Sequence, residues 1–159
     1  MNKTVKIIIE IVLLAVIAFL TYTIYASIME PVNFDKQTAY RKSVAVQRLK
    51  DIRTLQVAYK SVNGKFVSTV DSLKDFCIDS LKYIPFSSKE PVQMEATVKM
   101  VSGVPVPLFE ARMPYKSLLK GLDNQLRINL DDECRTQNRY EGLQVGSISA
   151  PNNNAGNWE

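Results

Sequence analysis

Histidine is absent from the whole 159-residue chain. Without it there is no imidazole general base, no Ser/His or Cys/His nucleophile pair, and no histidine ligand for a catalytic zinc. Glycine is scarce, at six residues, and none of them builds a phosphate-cradling loop or a Gly-x-Ser-x-Gly elbow. Cysteine occurs twice, as Cys77 and Cys134. An even count permits one disulfide in an oxidising compartment, and equally two buried thiols that pack as small hydrophobes. A bridge would close a loop of nearly sixty residues and stabilise by roughly 4 kcal/mol on the chain-entropy view.

Two short patterns survive these exclusions, and neither carries chemistry. Ser117-Leu118-Leu119-Lys120 has the spacing of a serine nucleophile with a lysine base, but its companion Ser-Asp-Asn and Lys-Thr-Gly motifs are missing. Asp131, Asp132 and Glu133 form the densest acidic cluster, yet they lack the alternating ligands and tight-turn glycine of a calcium loop, so a solvated turn is expected. The expectation is a protein with no catalytic residues, no metal site and no cofactor, and therefore not an enzyme.

Charge is unevenly placed. The net charge is +4, but Asp35 to Lys60 holds seven basic residues, Lys36, Arg41, Lys42, Arg48, Lys50, Arg53 and Lys60, against Asp35 and Asp51, and so carries +5 by itself. Just before that segment, Ile11 to Met29 gives nineteen consecutive uncharged residues rich in Ile, Val, Leu and Ala. As a helix this run reaches about 28 Å, near the hydrocarbon thickness of a bilayer. It lacks the polar stripe of a core helix, and Tyr22 and Tyr25 have interfacial character. It is also longer than the apolar region of a cleaved signal peptide, and Ile24-Tyr25-Ala26 is a poor cleavage site. Residues 7–30 are therefore predicted to be a retained membrane anchor after a short tail, 1–6. Basic residues flank both ends, so their count does not orient the span. Insertion as a signal anchor places residues 31–150 outside the cytoplasm, on a single-pass inner-membrane protein.

Glu10 lies at the start of the apolar run, where a carboxylate is costly unless it is paired or interfacial. It either sits at headgroup level with Lys6, one helical turn earlier, or pairs with a positive group of a neighbouring chain.

Downstream, Pro31 and Asn33 are expected to interrupt the helix, with Asp35 capping a second one that runs to about Val62. Its apolar positions Ala45, Leu49, Ile52, Tyr59 and Val62 recur at helical spacing, widened by Leu55 and Ala58. Its basic residues are read as solvated surface, or as contacts to lipid or a partner; no base-reading or stacking motif accompanies them, which argues against nucleic acid. Asn63-Gly64 should stop the helix. A short helix capped by Ser68 or Thr69 follows, with Leu73, Phe76 and Cys77 inward. Beyond Pro85, Val92, Met94, Ala96, Val98 and Met100 alternate with polar residues as in a half-buried strand. Ser102-Gly103 should turn into a strand from Val104 to Met113, whose Pro105 and Pro107 confine its start to an edge or irregular position. A short helix over Pro114 to Leu122, a strand through Leu126, Ile128 and Leu130, and a last strand within Tyr140 to Ile148 complete the pattern. Residues 151–159, rich in Asn, are expected to be a loop-like tail. The fold class is α+β: a membrane helix, then a long amphipathic helix packed on a small antiparallel sheet.

This order of parts resembles type IV pilins and the pseudopilins of type II secretion. Lys6-Ile7-Ile8-Ile9-Glu10 before the apolar run is similar to the segment in which that family places a glutamate near the start of its helix. Ala58-Tyr59-Lys60-Ser61-Val62-Asn63-Gly64-Lys65-Phe66 with Leu73 resembles the helix end and loop of major pseudopilins. Val5 and Lys6 depart from the family's processing site, Phe66-Val67 stands in place of its aromatic-Pro pair, and its calcium loop has no counterpart. The resemblance covers roughly the first half of the chain. It implies a structural or interaction subunit of an envelope assembly; Glu10, together with Val44, Ala45 and Arg48 on the part of the long helix nearer the membrane, where the sheet reaches less easily, is the expected assembly interface. The partners would be membrane lipid and other membrane or envelope proteins, including further copies of the chain. The alternative is an uncleaved, anchored binding module whose sheet or tail recognises a protein or envelope ligand.

Overall fold

The computed structural model describes residues 3–77 and 92–159; Pro85, the expected break before the first strand, lies outside them. The elements in chain order are α1 (Lys3–Asn63), α2 (Val70–Phe76), β1 (Gln93–Val101), β2 (Val104–Pro114), α3 (Tyr115–Leu118), α4 (Asn124–Thr136) and β3 (Gly142–Gly146). The protein is α+β, and the chain divides into two compact units, one ending at Gln37 and one spanning Thr38–Glu159.

α1 is one helix, not two: Pro31 lies inside it and Asp35 is an exposed interior residue rather than a cap. The reason is one of counting. Pro31 has no N–H and so removes one intrahelical hydrogen bond, whereas a break would leave about four N–H and four C=O groups without partners. The helix ends as expected. Gly64 takes φ +72, and its N–H donates to the Lys60 carbonyl at 2.8 Å, which satisfies an orphan carbonyl of the last turn.

In the unit from Thr38 onward the sheet has the order β1-β2-β3 and is antiparallel throughout. Ser102 and Gly103, both at positive φ, form a two-residue hairpin turn of the kind that matches strand twist. Counting outward from the Val101–Val104 pair, Pro105 opposite Met100 and Pro107 opposite Val98 fall at non-hydrogen-bonded positions. β3 pairs only with Glu110–Pro114. The missing N–H groups of the two prolines therefore face an open edge, even though β2 is the central strand.

One sheet face holds Phe109, Ala111 and Met113 of β2 beside Leu143 and Val145 of β3, all buried. Ala45, Leu49, Ile52 and Leu55 of α1 are buried too. Arg41 Nη1 donates to the Leu118 and Lys120 carbonyls at 3.1 and 2.9 Å, and Gln56 Nε2 reaches the Met94 sulfur at 3.1 Å. These two ties hold the buried stripe of α1 over the inner sheet face. Phe66 completes the core against Phe109, with ring centroids 4.8 Å apart.

Several expectations need correction. The segment expected as a strand through Leu126, Ile128 and Leu130 is α4, opened by Asp123, whose carboxylate accepts the Leu126 N–H at 2.7 Å. Its alternating apolar residues are only half-buried, and its buried residues are Asp131 and Cys134. Three alternating residues between turns are too short a pattern to separate the two periods, and the cap decides. On β1 the alternation is real but overreaches the core: Met94 and Ala96 are half-buried, while Val98 and Met100 are 58% and 68% exposed. On α1, Val62 is exposed and Tyr59 half-buried, with its ring edge-on to Phe76 at 5.2 Å.

Residues 151–159 are not a loose tail. The Gly146 N–H donates to the Ala155 carbonyl and the Asn157 N–H to the Gln144 carbonyl, both at 3.0 Å, so the chain end covers the outer edge of β3. Gly146 has φ +75, and a Cβ there would collide with the Phe109 carbonyl, so no other residue fits this approach. Glu159 closes the tail onto α1 through Arg53 at 2.7 Å.

Ile52 is fully buried and Val98 is exposed. Ile52→Ala should therefore destabilise the protein by about 2 to 5 kcal/mol, while Val98→Ala stays within about 0.5 kcal/mol. Urea unfolding of full-length protein in nonionic detergent, followed by the fluorescence of Trp158, measures both; equal effects would contradict this assignment of the core.

Candidate functional site

The most extensive unburied feature is apolar. Over residues 5–28 the Ile, Val, Leu and Phe side chains of α1 stand exposed, Leu14 at 67% and Phe19 at 66%. An 18-residue window of this helix reaches a mean hydropathy of 2.6 with none of it buried. It is long and apolar enough to cross a membrane, and so is a candidate anchor. Thr21 and Thr23 return their hydroxyls to the Ile17 and Leu20 carbonyls at 2.8 and 2.9 Å, so these two hydroxyls are satisfied within the helix. Glu10 is exposed one turn beyond Lys6.

Of the expected interface residues, Val44 is exposed, Arg48 half-buried and Ala45 buried at 3%. Ala45 also belongs to the chain's own core. Val44, Ala45 and Arg48 line a shallow groove of about 200 Å³ with Tyr40, Arg41, Met113 and Leu118.

The cysteines are not bridged: Cys77 and Cys134 are free thiols, both buried. Burial pushes both thiols above their ordinary pKa, at Cys134 against the opposing pull of Arg139 and Lys42, and so disfavours the reactive thiolate.

The acidic triplet lies on α4 rather than in a solvated turn. Successive helical residues point about 100° apart, so Asp131, Asp132 and Glu133 do not converge on one ion. Asp132 is instead shared with Arg135 at 3.2 Å, and Arg135 also forks onto Glu141 at 2.5 and 2.9 Å. Asp131 is buried. Its Oδ2 accepts from Arg127 at 2.8 Å, while its Oδ1 has no hydrogen-bond partner.

Ser117 and Lys120 border a second feature, a cleft of about 680 Å³ beside α4, lined also by Lys116, Asn124 and Arg127. Their side chains do not bond to each other among the described residues, so the serine has no lysine base in place.

Neither a family model, nor a curated protein, nor a solved structure matches this chain.

The residues that organise these features were mostly invisible in the sequence. Gln56 is fully buried although it is polar. Lys116, Lys120 and Arg127 are scattered over twelve positions, and only the α3–α4 reversal assembles them.

Asp131 yields a test. Desolvation raises its pKa, outweighing the attraction of Arg127. The folded chain thus holds this proton more tightly than the unfolded one, and its contribution to stability declines as pH rises through the window above about pH 4. Asp131→Asn should gain thermal stability relative to the parent as pH rises above about 4 and then level off. A relative loss over that rise would show that the carboxylate is held for Arg127.

Proposed function

We propose that the chain is a non-enzymatic, membrane-anchored interaction subunit of an envelope assembly, pilin-like in build. One observation carries this reading: the uncovered apolar surface of α1 over residues 5–28. In water that surface is a liability of a size soluble monomers avoid; in a bilayer or a bundle of like helices it is satisfied. Glu10 belongs to the same argument, because a carboxylate at the start of an apolar helix needs a neighbouring positive group or the headgroup layer. In this reading the chain crosses the inner membrane once, with the unit from Thr38 onward outside the cytoplasm, and Glu10, Val44 and Arg48 face lipid or partner helices.

The second reading, an anchored binding module, draws on a different surface. Val98, Met100 and Val104 at the end of the β1–β2 hairpin are exposed apolar residues grouped on one element. Hairpin ends of this kind suit recognition of a partner protein.

The two readings part in a crosslinking experiment. With a photoreactive residue at Tyr40, full-length protein in native membranes should give specific crosslinked products that disappear in Glu10→Ala and Arg48→Ala and persist in Met100→Ser. Loss only in Met100→Ser would favour the binding module. Protease added to spheroplasts should digest residues beyond 38 and leave a membrane fragment; protection until lysis would reverse the orientation.

A further inference from the structure

We infer that the cleft between α3 and the start of α4 binds a phosphate-type oxyanion, a phosphomonoester or a phosphodiester. Three cations, Lys116, Lys120 and Arg127, line it together with the Ser117 hydroxyl and the Asn124 amide, and no carboxylate does. Asp123 accepts the Leu126 N–H at 2.7 Å, and Arg127 is itself engaged, donating to Asp131 Oδ2 at 2.8 Å and to Asn124 Oδ1 at 2.7 Å, so the uncompensated charge of the cleft is that of the two lysines. The two lysines are exposed, and neither ammonium has an ion-pair or hydrogen-bond partner among the described residues. Two uncompensated like charges lining one cleft repel each other, and an oxyanion held between them offsets that repulsion.

Two further features fit the same ligand. The first-turn N–H groups of α4, at Asn124 and Gln125, have no intrahelical acceptor, and the helix dipole favours negative charge there. The backbone of the cleft is also held before any ligand arrives. Arg41 donates to the Leu118 and Lys120 carbonyls at 3.1 and 2.9 Å, so the lysine-bearing loop is tied to α1 and adds a fourth positive charge close by. Ammonium groups with a hydroxyl, an amide and helix N–H groups around a cleft suit a tetrahedral oxyanion, whose oxygens accept hydrogen bonds from several directions at once. A free phosphate and the phosphodiester of a lipid headgroup share this chemistry.

Calorimetric titration of full-length protein in nonionic detergent tests the site with two probes, inorganic phosphate and glycerophosphoglycerol, the soluble phosphodiester of an anionic lipid headgroup. Saturable binding of either probe is expected, weakened at least tenfold in Lys116→Gln/Lys120→Gln and unchanged in Lys50→Gln/Lys65→Gln, which removes two exposed lysines elsewhere. Phosphate alone binding assigns the site to a monoester, whereas glycerophosphoglycerol binding assigns it to lipid headgroups. If the double variant unfolds at a lower temperature, Lys116→Gln alone carries the comparison. Absence of saturable heat with both probes, or equal weakening in the Lys50→Gln/Lys65→Gln control, overturns the proposal.

Discussion

The unit from Thr38 onward depends on one stretch of α1, where Leu49, Ile52 and Gln56 are withdrawn completely from water. Each apolar member contributes on the order of 1.5 to 3 kcal/mol by burial. Gln56 contributes something burial alone does not: its amide donates to the Val67 carbonyl at 2.6 Å and accepts the Val67 N–H at 3.1 Å. An amide buried without such partners costs about 1 to 3 kcal/mol. The penalty therefore fixes where the chain must run after Gly64. That path delivers Phe66 to Phe109 and Thr69 to the start of α2, where its hydroxyl accepts the Ser72 N–H.

The same helix has two incompatible surfaces along its length. Its later turns are amphipathic and covered, and its early turns are apolar and bare. No single solvent satisfies both. The bareness of the early turns therefore supports a membrane reading more strongly than length and hydropathy do, since a helix buried in a protein core can share those two properties. Proline at position 31 does not separate the two parts, because one lost hydrogen bond costs less than two new helix ends. The far end of the chain is then returned to α1 by Arg53, which holds Glu159 at 2.7 Å and the Asn154 carbonyl at 3.4 Å.

The elements legible in the sequence were those with strong local chemistry. Gly64 ended α1, Thr69 capped α2, and Ser102-Gly103 turned the hairpin because each position required a specific backbone geometry or side-chain acceptor. What was misread depended on tertiary context. α4 resembled a strand because three apolar residues alternate, while its decisive signals, the Asp123 cap and the Arg127–Asp131 pair at helical spacing, are short-range polar features. The outer half of β1 kept its period of two beyond the point where the core stops. Ala45 is at once part of the core and part of the groove beside Val44 and Arg48, where a small residue lets the helix approach its own sheet closely. The cleft at Lys116 and Lys120 was hidden because its cations come from two elements, and Gln56 because burial of a polar residue is dictated by a partner eleven residues away.

The central claim is that α1 gives its first half to lipid and its second half to the protein's own core. Photolabelling of full-length protein in vesicles containing a lipid with a carbene-generating group in its acyl chain tests this most directly, with adducts mapped by mass spectrometry. Label should be confined to residues between 5 and 30 and absent from Leu49, Ile52 and Leu55. Label on that second set, or an unlabelled segment between 5 and 30, would contradict the account.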